Sequence, residues 1–275
     1  MPPPLKGNTQ MTYTSGWAIH GHTKSLFAGV LFSDLSICWF SVVFPDNLNV
    51  DPSDTHSVVR SAYYLPCPSP MGKAALIDAH ETYGETIAAF AESFDGTGEF
   101  CARGECWDLA HEALQYFEAY DYVPKPIPSL SRTHGHLIFE GKAMGKGKTV
   151  GRWRGGDDRV RRGDIVEWRK VKINILGAGP HSWALLGDPD HTAIIVRDSV
   201  PSRQPVDKQP LSPAELISIE VVEQSVGSPP SRKVYDMNAF EEGEVWIYRS
   251  VSMQAYLGIP SLAWKCPESV SAQSI

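Results

Sequence analysis

The stretch Gly104-Glu105-Cys106-Trp107-Asp108-Leu109-Ala110 opens the clearest helical pattern of the 275-residue chain. Apolar residues recur along it at spacings of three, four and three, which places them on one face of a helix; they are Trp107, Ala110, Leu114 and Phe117. Acidic residues suit the first turn of a helix, where the dipole is positive. The pattern therefore predicts a helix that is buried on one face and holds Cys106 in its first turn.

Strand-like patterns surround this helix on both sides. Residues 11–44 alternate aromatic or β-branched residues with Gly and Ser and predict strands separated by turns at Gly16, Gly21 and Asp34. A second helical pattern covers residues 74–94, although Gly84 weakens it. Later strands are predicted at 137–139, 164–168, 171–176, 191–197, 216–223 and 244–249. Strands that follow helices without βαβ alternation predict an α+β fold, with central helices packed on an antiparallel sheet, and disfavour a doubly wound parallel sheet.

The proline-rich and turn-rich segments divide the chain into four predicted parts. Three consecutive prolines make residues 1–10 a flexible tail, and residues 11–70 form a strand-rich region that we expect to pack on the main domain. The main domain is predicted over residues 71–258, and residues 259–275 form a C-terminal tail. At 30.3 kDa and 42% hydrophobic content, the chain can bury a core without help from disulfides or a metal.

Composition excludes several classes of protein. The 25 basic and 32 acidic residues give a net charge of −7, which argues against binding nucleic acid by overall charge. Five cysteines without a CxxC pair argue against a disulfide framework or a zinc ribbon, and favour a reducing compartment. There is no apolar run long enough to cross a bilayer and no secretory signal pattern. We therefore expect a cytoplasmic protein without a transmembrane segment.

Cys106 is the candidate nucleophile because the free N–H groups at a helix start stabilise a thiolate and can hold an oxyanion. A small buried structural cysteine would fit the same local pattern. Cys101 competes for the role, but it lies before the helix. Among the histidines, His191 is the candidate base: it opens a strand and shares a face with Ala193 and Ile195, where a small neighbour leaves room for another side chain.

Glu223 is the candidate for the acid that orients this base. It continues the apolar face of Ile219 and Val221, where a carboxylate is costly unless it is paired. If the two strands are antiparallel neighbours, Glu223 comes near His191 and can accept its N–H. The alternative is that the strand end has simply reached solvent.

The remaining candidates are less specific. His181 is an alternative base, and Trp183 beside it could line a substrate cleft. His20, His22, His134 and His136 lie in glycine-flanked turns or loops, and His111 lies off the apolar stripe. A His-x-His pair can form the edge of a metal site, but the spacing suggests no third ligand, so we expect neither a metal nor another cofactor.

The order Cys, His, Glu resembles the CHAP amidase/peptidase superfamily and, more loosely, papain-like cysteine hydrolases. The matching details are Gly-x-Cys with a following aromatic at 104–107, the segment Arg162-Gly163-Asp164-Ile165-Val166-Glu167-Trp168, and Glu-Gln-Ser at 223–225. The resemblance implies that Cys106 is the nucleophile, His191 the base and Glu223 the orienting acid. Ser225 stands where CHAP proteins often have Asn, and Trp107 matches the papain pattern; both are candidates for oxyanion or orienting roles.

Over about residues 75–250 the chain most resembles the C-terminal cysteine-proteinase-fold domain of the fungal BBC/AIM actin-patch proteins. This resemblance implies an adaptor of the cytoplasmic actin cortex, and it leaves two functions open. One is a thiol hydrolase that acts on a peptide or another amide. The other is a catalytically silent interaction domain with a protein partner or an anionic surface, for which the basic segment 142–172, with eleven Lys or Arg against four Asp or Glu, is the candidate contact.

Overall fold

The computed structural model describes residues 10–47, 51, 53–130, 132–145, 147–155, 157–179 and 182–275. Residues 1–69 and 253–275 form one compact unit, and residues 70–252 form a second. The strands are β1 (Met11–His20), β2 (Thr23–Phe32), β3 (Ile37–Pro45), β4 (Val59–Leu65), β5 (His136–Ala143), β6 (Thr149–Trp153), β7 (Ile165–Ile175), β8 (Trp183–Leu186), β9 (His191–Ile195), β10 (Ser218–Ser225), β11 (Ser228–Asp236), β12 (Glu242–Arg249) and β13 (Gln273–Ser274). The α-helices are α1 (Lys73–Glu92), α2 (Cys106–Gln115) and α3 (Met253–Leu257).

The first unit is an antiparallel sheet with the strand order β1-β2-β3-β4-β13. The predicted turn at Gly16 is wrong, because Gly16 lies inside β1. A Cβ atom at Gly16 would come within 2.0 Å of the Trp264 ring, so the glycine makes room for that ring rather than breaking the strand. The C-terminal residues, for which the sequence predicts only a tail, thus contribute both Trp264 and β13 to this unit.

The second unit contains an antiparallel sheet with the order β11-β10-β9-β7-β12-β5-β6, and β8 pairs with β7 beside this path. A further pairing between β11 and β7 closes β7, β9, β10 and β11 into a ring of hydrogen-bonded strands. The predicted α+β class with antiparallel sheets is confirmed. The predicted strands 164–168 and 171–176 are one strand, β7, with Lys170 at φ +50° inside it, and β6 and β11 were not predicted.

The two long helices pack on one face of this sheet. Their buried side chains meet those of β7, β9 and β10 in a single apolar cluster, which includes Ile87, Leu109, Ile165, Ile194 and Val222. None of the helices in the described part of the chain has the length and apolar composition needed to cross a membrane.

Gly84 does not weaken α1, because its missing side chain lets the turn at Arg162–Gly163 approach the helix. A Cβ atom on Gly163, which has φ +88°, would lie 2.1 Å from the carbonyl oxygen of Gly84. A Cβ atom on Gly84 would meet the carbonyl oxygen of Arg162 at 3.0 Å. The two glycines therefore set the distance between α1 and the start of β7.

We expect Gly163→Ala to destabilise the protein by about 3 kcal/mol, because it combines a strained left-handed backbone with a clash against backbone atoms. Gly177 is a matched control: it has a similar φ of +81°, but a Cβ atom added there would have nothing within 4 Å of it. Gly177→Ala should cost only the backbone term, about 1–2 kcal/mol. Urea unfolding of both variants measures the difference, and equal losses would show that the contact with α1 is unimportant.

Candidate active site

Cys106 is the first residue of α2, and the turn before it is fixed by a buried carboxylate. Asp108, in the first turn of the helix, accepts the backbone N–H groups of Arg103 at 3.0 Å and Glu105 at 3.2 Å. The Arg103 guanidinium also donates to Asp108 at 2.8 Å. Burial works against ionisation of Asp108, but these bonds outweigh it and lower its pKa. The negative charge therefore lies at the positive end of the helix dipole and holds the chain that leads into Cys106.

His191 is the first residue of β9 and lines the same cleft as Cys106, the first residue of α2. Its Nε2 atom lies 3.0 Å from Oε2 of Glu223 on the neighbouring strand β10, which pairs antiparallel with β9. A carboxylate only accepts hydrogen bonds, so Nε2 carries a proton and Nδ1 is the nitrogen left for the thiol. The fold thus brings Cys106, His191 and Glu223 together from three elements.

The electrostatics of these groups favour a charged imidazole. Burial disfavours the imidazolium, but the hydrogen bonds from His191 to Cys106 and Glu223, and the charge of Glu223, outweigh burial and raise the pKa of His191. Burial likewise disfavours the Glu223 carboxylate, yet His191 and Tyr235 together lower the pKa of Glu223. The arrangement therefore favours a charged imidazole beside the Glu223 carboxylate.

The second oxygen of Glu223 is also occupied. The Tyr235 hydroxyl on β11 donates to Oε1 at 2.7 Å, and Nζ of Lys233 lies 3.5 Å from the same atom. Burial and the nearby Glu223 charge raise the pKa of Tyr235, so the hydroxyl keeps its proton and remains a donor. Glu223 is only 5% exposed, and these partners provide the compensation that a buried carboxylate requires.

The segment that leads into β9 is anchored by an ion pair. Arg132 binds Oδ2 of Asp190 at 2.9 Å, and the Asp190 carbonyl oxygen lies 3.9 Å from the Cys106 sulfur. The Arg132 carbonyl in turn accepts the Tyr248 hydroxyl at 2.7 Å. This chain of contacts holds the backbone immediately before His191 against the body of the unit.

The three groups open into a cleft of about 530 Å³. Trp183 and Ser225 line it, as the sequence suggested for a cleft residue and an orienting residue, whereas the alternative base His181 lies outside the described residues. Leu185 is 80% exposed and Val226 is 83% exposed among the lining residues. The cleft therefore has an apolar, accessible rim near a thiol that is only partly buried.

Two other candidates, Cys101 for the nucleophile and Trp107 for the oxyanion donor, lie in environments that suit these roles less well. Cys101 is 2% exposed, and burial raises its pKa to about 11, which makes it a poor nucleophile. Trp107 is not on the core face of α2, where Leu109, Ala110, Ala113 and Leu114 are buried; it stacks on His111, with 4.1 Å between the ring centroids. Trp107 is not among the residues that line the cleft, so the geometry does not favour it as an oxyanion donor.

The two histidines of the His-Gly-His loop belong to the interior. His134 lies between Ser129 at 2.6 Å and Glu167 at 3.2 Å, and Glu167 also accepts the Thr192 hydroxyl at 2.7 Å. His136 accepts the backbone N–H of Met71 at 3.1 Å, and burial together with Arg249 lowers its pKa to about 4. Among the described residues, no three His, Cys, Asp or Glu side chains are arranged to hold a metal ion.

Most cations of the basic segment 142–172 are paired with carboxylates. Seven of its eleven Lys and Arg residues lie within ion-pair distance of an Asp or Glu: Lys142, Arg154, Arg159, Arg161, Arg162, Arg169 and Lys172. Lys146 lies outside the described residues. Because paired cations are less available to an external anion, the structure weakens the case for this segment as an anion-binding surface.

Sequence reasoning missed the residues that support the site. Gln224 on β10 binds backbone atoms of Cys101 and Glu105, and Tyr235, Asp190 and Asp108 contact the other components. Only two of these residues, Asp108 and Gln224, could have been recognised from the sequence pattern. Asp108 has the spacing of a capping box with Glu105, and Gln224 must point away from Glu223 because neighbouring residues of a strand face opposite sides.

Comparisons with known proteins agree with this architecture. The family model described as the AIM3/BBC1 cysteine proteinase-fold domain matches residues 60–261. The chain is 25% identical over 206 residues to the protein called Altered inheritance of mitochondria protein 3 from Debaryomyces hansenii, covering 71% of this chain and 20% of that protein. It therefore spans about a fifth of the length of this relative, and no solved structure gives a significant match. Since the family model covers well over half of the chain, the protein belongs to the AIM3/BBC1 cysteine proteinase-fold domain family.

Proposed function

We propose that the domain is a thiol hydrolase that cleaves an amide or peptide bond, with Cys106 as nucleophile, His191 as base and Glu223 as orienting acid. One observation supports this most strongly. A buried carboxylate lies at hydrogen-bond distance, 3.0 Å, from the His191 imidazole, and both groups line one open cleft together with the thiol at the start of α2. A buried structural cysteine would need neither the cleft nor the carboxylate.

The proposed reaction has two stages. The Cys106 thiolate adds to the carbonyl carbon, and the tetrahedral intermediate collapses as the His191 imidazolium gives its proton to the departing amine. This leaves a thioester on Cys106 and a neutral imidazole. His191 then takes a proton from water as the water oxygen adds to the thioester carbonyl. The C–S bond of this second intermediate breaks, which releases the carboxylic acid and leaves the Cys106 thiolate beside the His191 imidazolium. Glu223 stabilises the imidazolium whenever it forms.

The start of α2 is the natural place for the oxyanion of this intermediate. As the first helical residue, Cys106 has an N–H group without an intrahelical acceptor, and the helix dipole adds positive potential at that position. Ser225, at the end of β10, lines the cleft and remains our candidate for a polar orienting role. The substrate class on this geometry is a peptide or another amide, and its apolar contacts would fall on Leu185 and Val226.

A panel of fluorogenic peptide amides with varied apolar, acidic and basic residues tests the proposal. We expect the protein to release fluorophore from at least one of them, and Cys106→Ala to abolish release while leaving the fold intact. A mass increase on Cys106 during turnover would mark the thioester. If the protein hydrolyses none of the panel and its Cys106 reacts with iodoacetamide no faster than free cysteine, the hydrolase proposal is wrong.

A second candidate is a catalytically silent interaction domain of a cortical-actin adaptor. The observation in its favour is that the chain corresponds to only 20% of its much longer relative, as expected of one module among several. Cys106→Ala separates the two functions in cells. An adaptor domain would keep its localisation and its binding partners in this variant, whereas a hydrolase would lose its effect.

A further inference from the structure

Gln224 is buried and makes three hydrogen bonds to the turn that precedes Cys106. Its Oε1 atom accepts the backbone N–H of Cys101 at 3.0 Å. Its Nε2 atom donates to the carbonyl oxygens of Cys101 at 3.0 Å and Glu105 at 2.8 Å. The side chain is thus fully engaged with one short stretch of backbone, and Gln224 is only 1% exposed. A polar group buried this deeply would be costly if its partners were lost.

The position of Gln224 in β10 explains why it can reach this turn. The register between β10 and β11 shifts between Glu223 and Ser225, which places Gln224 at an irregularity in the strand. Such bulges redirect side chains and are frequent beside functional sites. Glu223 therefore contacts His191 while the next residue along the chain contacts the turn that leads into α2.

The turn needs this support because it has few other anchors. Asp108 holds the N–H groups of Arg103 and Glu105, but it belongs to the same helix as Cys106 and moves with it. Gln224 instead ties the turn to β10, and β10 carries the carboxylate that fixes His191. Two consecutive residues of one strand thereby set the positions of both reacting groups.

We propose that Gln224 is a positioning residue that holds the Cys106 sulfur against the His191 imidazole. This inference deepens the proposed hydrolase function and rests on it for its biological meaning, although the positioning itself can be measured without a substrate. Without Gln224, the first turn of α2 is free to shift relative to β9. The thiol then loses the position beside His191 from which its proton can pass to the imidazole.

Two variants of the full chain test this role. Gln224→Met keeps the size of the side chain and removes all three hydrogen bonds, whereas Gln224→Glu keeps the acceptor for Cys101 N–H and removes both donors. The first readout is the titration of the His191 ring nitrogens by NMR. The titratable groups that line the same cleft are Glu105, Cys106, Asp188, Asp190, Glu223, Lys233 and Tyr235. We expect the His191 midpoint to fall by about one pH unit or more in Gln224→Met, and by less in Gln224→Glu.

The second readout is the rate at which iodoacetamide alkylates Cys106 at pH 6, which we expect to fall about tenfold or more in Gln224→Met. Ser199→Ala is the control for general loss of stability, because the buried Ser199 hydroxyl also donates to a backbone carbonyl, that of Leu216 at 2.7 Å. It should lower the unfolding temperature without changing either readout.

An unchanged His191 midpoint in folded Gln224→Met or Gln224→Glu would overturn the proposal, since the imidazole would then not depend on the position of the turn. If Gln224→Met does not fold, Gln224→Glu decides. If only the hydrolase proposal is wrong, the result differs: the unmodified protein cleaves no substrate, but the Gln224 variants still shift the midpoint of the His191 titration.

Discussion

Replacing His191 with glutamine is expected to slow the alkylation of Cys106 by iodoacetamide at pH 6 by about two orders of magnitude. Only the thiolate reacts, and an ordinary thiol at this pH is ionised to less than about 1%. On the proposed mechanism the proton of the thiol passes to His191, whose raised pKa favours the imidazolium. Glutamine keeps a polar side chain in the space but cannot take up that proton.

The effect of His191→Gln on the alkylation rate of Cys106 should depend on pH. The two proteins should differ most in the acidic range and converge above about pH 9, where a thiol ionises without assistance. Mass spectrometry of the peptide that contains Cys106 measures the rate at each pH. His111→Gln is the matched control, because His111 lies on the same helix but stacks on Trp107 rather than contacting the thiol. Superimposable profiles for the unmodified protein and His191→Gln would show that the thiol and the imidazole are not coupled.

The same variant should also change how stability depends on pH. The raised pKa of His191 means that its interactions stabilise the fold fully below the ordinary value of 6.5, and that this contribution is lost as the pH rises through the raised value. The lowered pKa of Glu223 means that its contribution is present above 4.5 and is lost as the pH falls. The loss of unfolding temperature in His191→Gln should therefore be largest between about pH 4.5 and 6.5.

How far the sequence predicts this site depends on where each residue lies in its element. Cys106, His191 and Glu223 each lie at or near the end of a helix or strand with a clear apolar period, so the pattern itself indicates which way the side chain points. Period alone cannot show which elements meet in space. For that reason the sequence proposes the three residues, but it gives the pairing of β9 with β10, and with it the contact between His191 and Glu223, only as a condition; the structure has that pairing and places the two side chains 3.0 Å apart.

The supporting residues escape sequence reasoning because their roles depend on irregular backbone. Gln224 lies where the β10–β11 register shifts, and β11 contains, directly after its first residue Ser228, the Pro229-Pro230 pair that normally argues against a strand. Without β11, neither Tyr235 nor Lys233 can be placed beside Glu223. The same holds for Gly16 and Gly84, where a ring or a turn from a distant part of the chain occupies the space that a side chain would fill.

Arg249→Met is expected to destabilise the second unit by about 3–5 kcal/mol, the largest stability effect that we predict. Arg249 is 1% exposed and binds Asp164 through two parallel hydrogen bonds of 2.8 and 2.9 Å, while its remaining terminal nitrogen contacts Asp157. Methionine fills a similar volume but leaves both buried carboxylates without this partner. Arg161, which binds Asp157 at 2.6 Å, cannot replace both contacts.

The pH dependence distinguishes an unpaired charge from a simple packing defect. Burial disfavours the Asp157 carboxylate, but the hydrogen bonds from Arg161 and Arg249 outweigh burial and lower its pKa. Its ion pairs thus stabilise the fold above the ordinary value of 3.8 and lose their effect as the pH falls. The difference in unfolding free energy between the unmodified protein and Arg249→Met, measured with urea, should therefore be large at pH 7 and shrink below about pH 4.

The surface pair of Arg197 and Glu220 provides the matched control for Arg249→Met. The Arg197 side chain is 77% exposed and lies 3.1 Å from Glu220. Arg197→Met also removes a guanidinium from a carboxylate, but Glu220 keeps its ion pair with Arg232 at 2.8 Å, so we expect a loss below about 1 kcal/mol. A loss in Arg249→Met that stays the same from pH 7 down to about pH 2, where the carboxylates are protonated, would point to packing alone. In that case the segment from Arg162 to Trp168 would be held at the sheet by its apolar residues and not by Asp164.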